Sequence, residues 1–347
     1  METFFVIKIL FLTTLSFLLA FSITPVVTHF LYKYKMGKRI RESRAAPIFA
    51  KLHGHKEGTP TMGGVLIWVT TLILALAFFY LAKYFDSFWQ DFNFLTRSQT
   101  LLPLGALITS AIVGLADDYL DARGLGPDGR GFRMGQRLVL YTLIALVGAV
   151  WFYFKLDWDV IRVPFLGNFE IGLWYIPIFI FVIVATAFSV NEADGLDGLA
   201  GGILLTSFAA YGAIAFIQGR MELATFCGVI VGALLAFLWF NINPARFFMG
   251  DTGAMALGVT LGIIAMLTNY ALLLPVICFL LVLESGSVLV QLISKKMWKK
   301  KIFRSTPIHH HFEAIGWSEP KIVMRFWVIS GVTAVAGLIL VLLDRGI

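Results

Sequence analysis

Four stretches of this chain, 139–154, 173–190, 203–217 and 223–240, contain no Asp, Glu, Lys or Arg. Each is close to the length an α-helix needs to cross about 30 Å of hydrocarbon at 1.5 Å per residue. Soluble domains carry about 25% charged residues, whereas this chain has 14%, against 59% hydrophobic residues and a mean hydropathy of +0.83. The fold class that follows is all-α, a polytopic membrane protein. Cys227 and Cys278 both fall in apolar runs without metal-like spacing and read as packing residues.

Hydropathy divides the chain into ten helices, at about 3–31, 62–82, 100–116, 137–155, 173–190, 200–217, 223–240, 253–268, 271–293 and 322–343. The eighth and ninth are separated because 252–294 is too long for one crossing and Glu284 is its single charge; Asn269 and Tyr270 mark the turn. The run 4–31 is too long for a cleaved leader and lacks a basic start, so a retained first span is expected. Charge placement supports this division independently. The odd-numbered connections hold 20 of the 28 Lys and Arg; the even-numbered ones hold Lys83, Arg97, Lys155, Arg162 and Arg220. The positive-inside tendency then puts the odd connections in the cytoplasm and both termini outside. No repeat or low-complexity linker interrupts residues 1–347, which read as a single membrane domain in a lipid bilayer. The net charge of +7 follows from this topology, and nucleic acid is not expected as a partner.

Acidic residues concentrate at three of the odd connections. Asp117 and Asp118 close the third span; Asp194 and Asp197, with Asn191, follow the fifth; Asp251 follows the seventh. One such carboxylate could simply mark a helix end. Three groups on one side are harder to explain that way, because carboxylates repel unless a cation holds them. An all-oxygen donor set suits Mg²⁺, the ion that phosphoryl transfer uses to neutralise phosphate oxygens. Gly195, Gly198, Gly201 and Gly202 allow close approach of backbone, and Lys56, Arg130 and Arg133 offer cations. His309, His310 and His311 form a triplet between Pro307 and Glu313. Glu284 lies deep in the ninth span, where a structural hydrogen bond in a helix broken near Gly286 is expected.

Five segments then carry a family resemblance: GTPTMGG (58–64), ADDYL (116–120), DGLDGLAGG (194–202), NPARFFMGDTGA (243–254) and PIHHHFE (307–313). In this order the chain resembles the phospho-N-acetylmuramoyl-pentapeptide-transferase family across essentially its whole length. The resemblance implies ten spans, a cytoplasmic-face active site in the bacterial inner membrane, and dependence on Mg²⁺. It also implies the reaction, in which UDP-N-acetylmuramoyl-pentapeptide and undecaprenyl phosphate give lipid I and UMP. By motif position it makes Asp117, Asp118 and Asp251 the central carboxylates, with Asp251 the metal ligand. It places Asn191, Asp194, Asp197, Asn241 and Phe248 at the nucleotide, with Phe248 stacking on uracil. Lys56 and Thr61 line the same cleft, and His309, His310 and His311 match the histidine motif. A homodimer is compatible with the resemblance, and the sequence does not decide the oligomeric state.

Two departures stand out. Asn191-Glu192-Ala193 precedes DGLDGL where the family has asparagine-leucine-threonine, and the loop after Asp118 offers Arg130 or Arg133 where the family has a cleft lysine. A sibling transferase using UDP-N-acetylglucosamine is the nearest alternative, disfavoured by the histidine motif. A transporter or flippase would need ionisable groups near the bilayer midplane, where only Glu284 lies. The orientation is tested by single cysteines probed with an impermeant thiol reagent on intact cells. Those replacing Lys38 and Lys300 should stay unlabelled and one replacing Asp91 should react; the reverse pattern inverts the topology.

Overall fold

The computed structural model describes residues 2–34, 36–37, 53–85, 87–96, 99–127 and 131–346. Lys38, Arg97 and Arg130, named above, lie outside them. Among the described residues nine helices are long and apolar enough to cross a membrane, and a bent pair makes a tenth span. They are α1 (Glu2–Lys33), α2 (Val65–Tyr84), α3 (Leu101–Arg123), α4 (Met134–Lys155), α5 (Tyr175–Ala193), α6 (Leu199–Ile217), α7 (Met221–Asn241) and α8 (Gly250–Leu267). After them come α9 (Phe279–Met297), the short α10 (Ile308–Ala314) and α11 (Glu319–Arg345). The tenth span is α9 with the preceding segment Ala271–Ile277, set at 86° to it.

The expected division into ten spans stands, and the turn between the eighth and ninth falls at Asn269, whose φ is 57°. Two details differ from the sequence reading. The break in the ninth span is at Cys278, between Leu274–Ile277 and α9, whereas Gly286 lies inside α9 with open space around it. The third helix runs on to Arg123 and ends on Gly124 in the left-handed conformation. Asp117 and Asp118 therefore sit within a helix, on consecutive positions that point about 100° apart.

α8 is the axis of the bundle. Every residue from Thr252 to Leu267 is buried, and α3 and α5 pack along it. Close packing comes from small residues, as is usual where lipid offers no hydrophobic drive to associate. A Cβ on Gly258 would stand 2.7 Å from Ala187 Cα of α5, and one on Gly114 of α3 would stand 2.3 Å from the Asp251 carbonyl. α1 and α7 approach equally closely at Gly232, where Ser16 Oγ also donates to the Val229 carbonyl at 2.6 Å. Side chains on the outer faces are apolar and exposed, among them Val147, Phe181 and Val328, as a lipid environment requires.

The helices alternate, so each end of the bundle collects one set of connections. One end gathers the ends of α3, α5, α7 and α9 with the starts of α4, α6, α8 and α11. The other carries a hairpin of β1 (Val160–Val163) and β2 (Gly167–Glu170), antiparallel with Val163 opposite Gly167.

Candidate active site

At the first end, segments remote in sequence are stitched together by backbone. Phe248 N–H donates to the Pro60 carbonyl, and Gly63 and Gly64 N–H donate to the carbonyls of Phe248 and Met249, each at 2.8 Å. The 58–64 segment thus runs beside the entrance to α8. There Gly250 has φ 72°, and a Cβ would lie 2.5 Å from Asp118 Oδ2 and 2.6 Å from Thr61 Oγ1. Both the conformation and the space demand glycine.

That glycine lets Asp118 of α3 reach the exposed N–H groups of α8. Its Oδ1 accepts from Thr61 Oγ1 and Asp251 N–H, both at 3.1 Å, and its Oδ2 accepts from Thr252 N–H at 2.9 Å. Asp118 therefore supplies the anionic cap of α8 from a neighbouring helix. Asp251 is in the first helical turn and its carboxylate turns away from the helix end.

The carboxylate of Asp251 meets Asn191 and Arg137 instead. Asn191 Nδ2 donates to Asp251 Oδ1, and Arg137 Nη2 lies 2.9 Å from Oδ2. Arg137 Nη1 also donates to Asn191 Oδ1 at 3.3 Å, and its Nε lies 2.7 Å from Asp117 Oδ2. One guanidinium on the first turn of α4 thereby joins side chains of α3, α5 and α8. Asp117 is fully buried, with its Oδ1 accepting from Phe132 N–H at 2.6 Å. Gly131 makes room for this: a Cβ there would fall 2.2 Å from Asp117 Oδ1.

The oxygen donors fit a hard divalent cation. Arg137 touches Asp117 Oδ2 off the N–H axis, so that buried oxygen makes no directed hydrogen bond. Asp251 keeps 14% side-chain exposure where Asp117 keeps none, making it the carboxylate open to a ligand. Asp117 and Asp251 together supply the carboxylate oxygens that Mg²⁺ prefers.

A second cluster lies around the start of α11. Lys56 Nζ is 2.6 Å from both Asp197 Oδ1 and Glu319 Oε1. Asp197 Oδ2 accepts from Asn243 Nδ2 at 3.0 Å and Ala245 N–H at 3.1 Å, and Asp194 Oδ2 accepts from Gly250 N–H at 3.1 Å. Phe248 is half-buried, with Lys56 Nζ 5.8 Å from its ring centre, while its neighbour Phe247 is fully buried. Asn241 spends its amide inside the protein, accepting from Gly198 N–H and donating to the Phe247 carbonyl.

The histidines form a third group. His309 and Glu284 are both fully buried, with His309 Nδ1 2.9 Å from Glu284 Oε2. Gly195 leaves the space His309 occupies; a Cβ there would meet its Nε2 at 2.3 Å. Glu284 thus has the structural partner expected of it. His310 Nδ1 and His53 Nε2 both approach Glu313 Oε2, at 2.6 and 3.1 Å. Burial, helped by His309, holds the His310 imidazole down to about 4 against the pull of Glu313, so it is neutral near pH 7. Burial would raise Glu313, but hydrogen bonds from His310 and His53 outweigh it and hold the carboxyl down at about 2. His311 Nδ1 accepts from Arg304 N–H. This nitrogen-rich set suits a softer ion than Mg²⁺.

Sequence reading passed over three members of these clusters: Arg137, Glu319 and Asn243. Arg137 was hidden at the edge of an apolar helix, although a cation there is costly unless paired, and that was its signal. Arg133 is exposed at the N-cap of α4, its N–H on Gln136 Oε1 at 2.8 Å, and among the described residues Arg137 is the arginine paired with Asp117 and Asp251.

Residues 100–269 match the family model described as glycosyl transferase family 4, which makes this ten-span chain a membrane-embedded transferase. Residues 56–67 match phospho-N-acetylmuramoyl-pentapeptide-transferase signature 1. A phospho-N-acetylmuramoyl-pentapeptide-transferase of Chloroflexus aggregans is 38% identical over 97% of this chain and 90% of its own length. Those of Geobacillus sp. and Bacillus subtilis are each 36% identical, over 93% and 95% of this chain and 95% and 97% of their own lengths. The chain belongs to the phospho-N-acetylmuramoyl-pentapeptide-transferase family.

Arg137→Gln should destabilise the fold by about 1–3 kcal/mol, less than the 3–5 of a fully buried pair because some solvent reaches the guanidinium. Asp117→Asn in the same chain should restore part of the loss. Thermal unfolding of the four proteins in detergent measures this. Strictly additive losses would show that the two residues do not interact.

Proposed function

We propose that this chain transfers phospho-N-acetylmuramoyl-pentapeptide from its UDP-linked precursor to undecaprenyl phosphate, giving lipid I and UMP. The observation that carries this reading is the convergence of Asp117, Asn191, Arg137 and Asp251 on one point, beside the Lys56–Phe248 contact. The end of the bundle that holds them is proposed to face the cytoplasm, where the UDP-linked precursor would be available.

An oxygen of the lipid phosphate attacks the β-phosphorus of the UDP-sugar. A new P–O bond forms, the anhydride bond to the α-phosphate breaks, and its electron pair leaves on UMP. Mg²⁺ held by Asp251 and Asp117 would neutralise pyrophosphate oxygens during this exchange. Phe248 offers a ring face to uracil, and Lys56, held between Asp197 and Glu319, fixes the segment beside it. Asp117, fully buried, acts on the lipid phosphate through the Arg137 guanidinium it holds and not by direct contact; with a second phosphate pKa of about 6, the acceptor is already largely ionised and needs little help from a base. A single displacement is favoured over a covalent aspartyl phosphate. Asp117 is fully buried and held by Phe132 N–H and Arg137, and Asp118 is committed to three donors.

Purified protein given undecaprenyl phosphate, Mg²⁺ and each of two UDP-sugars tests the reading through UMP release. Release with UDP-N-acetylglucosamine and none with the muramoyl pentapeptide would transfer the chain to the sibling activity.

Asp251→Asn separates charge from shape. Because Asp118 caps α8, the amide should cost stability only through the weakened Arg137 pair, about 1 kcal/mol, while turnover falls on the order of 100-fold, the scale of losing one key electrostatic stabiliser. Turnover near that of the unaltered protein would remove Asp251 from the chemistry.

Phe248→Ala should weaken UDP-sugar binding by about 1–3 kcal/mol, the range for stacking of a base on an aromatic ring, with undecaprenyl phosphate affinity little changed. Binding isotherms for both substrates decide this, and equal losses would mean that Phe248 only anchors the loop.

A further inference from the structure

At the opposite end of the bundle, Trp158, Arg162, Gln218, Arg220, Tyr270 and Arg345 line a cavity of about 480 Å³. It opens where α6, α8 and α11 end and the β-hairpin folds back over them. The connections at this end hold few basic residues, yet Arg162 and Arg220 are both in the cavity wall, and Arg345 joins them from the last turn of α11. Cations scarce everywhere else at this end are gathered in one place.

Their pairing is uneven. Asp344 neutralises Arg162, with Nε 2.5 Å from Oδ2, and also accepts from Tyr270 Oη at 2.7 Å and Phe165 N–H at 2.5 Å. That carboxylate has nothing further to give. Arg220 uses Nη1 on the Leu267 carbonyl at 2.5 Å and lies over the Trp158 ring at 5.2 Å. Burial lowers its pKa and no acidic group offsets this. Among the described residues neither Arg220 nor Arg345 has an ion pair with a carboxylate. A partly buried guanidinium without a counterion is costly, and its flat fork matches the oxygens of a phosphate.

The surroundings indicate where such a phosphate comes from. Phe165 and Leu166 at the hairpin tip are 59% and 74% exposed, and Trp174 just beyond it is 73% exposed. Apolar and aromatic side chains presented at the level where spans end belong at a bilayer interface. We infer that this cavity binds the phosphate of an anionic phospholipid, held by Arg220 and Arg345 with the hairpin tip seated among the acyl chains. The site is separate from the carboxylate end and does not depend on the proposed reaction.

Delipidated full-length protein titrated with phosphatidylglycerol or phosphatidylcholine of identical chains, with adducts counted by native mass spectrometry, tests this directly. The unaltered protein should prefer phosphatidylglycerol. Arg220→Gln and Arg345→Gln should each weaken that binding about fivefold, the scale of one basic residue at a charged lipid surface. An unchanged thermal unfolding midpoint in detergent would show that the variants are folded. Should Arg220→Gln fail to fold, Arg345→Gln, on an exposed side chain, carries the test alone. Equal binding of the two lipids, or an undiminished preference in folded variants, overturns the inference. Displacement of phosphatidylglycerol by millimolar inorganic phosphate would overturn the lipid as the source while leaving a phosphate site.

Discussion

Asp117 and Asp251 come from helices that pack side by side, and two carboxylates in so confined a space would drive α3 and α8 apart. The guanidinium of Arg137 sits between them, with Asn191 completing the ring. Four helices depend on that one cation, and their separation sets the spacing of every oxygen in the site. A planar fork with several donors can hold three partners at once, which a lysine ammonium on a flexible stem does less well. The same arrangement explains how a cation persists one turn into an apolar helix: its charge is spent on partners before it meets lipid.

Asp118 serves a different purpose from the aspartate beside it. A helix start leaves N–H groups without partners, and α8 is the most deeply buried of the spans among the described residues. Asp118 satisfies them from α3 while also accepting from Thr61, so the start of α8, the 58–64 segment and α3 form one unit. Consecutive residues on one helix thus divide the labour, Asp118 capping α8 and Asp117 holding the guanidinium that reaches Asp251.

Hydropathy and charge made the ten spans legible, because a bilayer imposes length and composition on any helix that crosses it. The grouping of Asp117, Asp118 and Asp251 was legible too, since carboxylates stand out in so apolar a chain. Pairing was not. Which arginine would reach Asp117 depends on the helical phase of α4 and on a loop that folds back over the carboxylate, and neither is written in periodicity. Glu319 stands out in no motif or charge cluster of the sequence, yet it shares Lys56 with Asp197. Asn241 belonged by position to the nucleotide, and its amide is spent on Gly198 and Phe247. The break in the ninth span was placed at Gly286 because glycine permits one, but the bend is at Cys278, where the chain leaves a short proline-containing turn. Permission to bend is a local property, whereas the location of the bend is decided by what packs on either side.

The ion pair between Lys56 and Glu319 joins residues 263 positions apart. Chains emerge from the ribosome N-terminus first, at about 5–20 residues per second. Lys56 is therefore made long before Glu319 exists, and Pro60, Gly63 and Gly64 must wait for Phe248 and Met249 before their backbone groups find partners. The first connection stays open to water while eight further spans are inserted. The cleft closes only once the helix that carries Glu319 has been made, so a nascent chain that stops short of it, however well embedded, holds an unfinished centre.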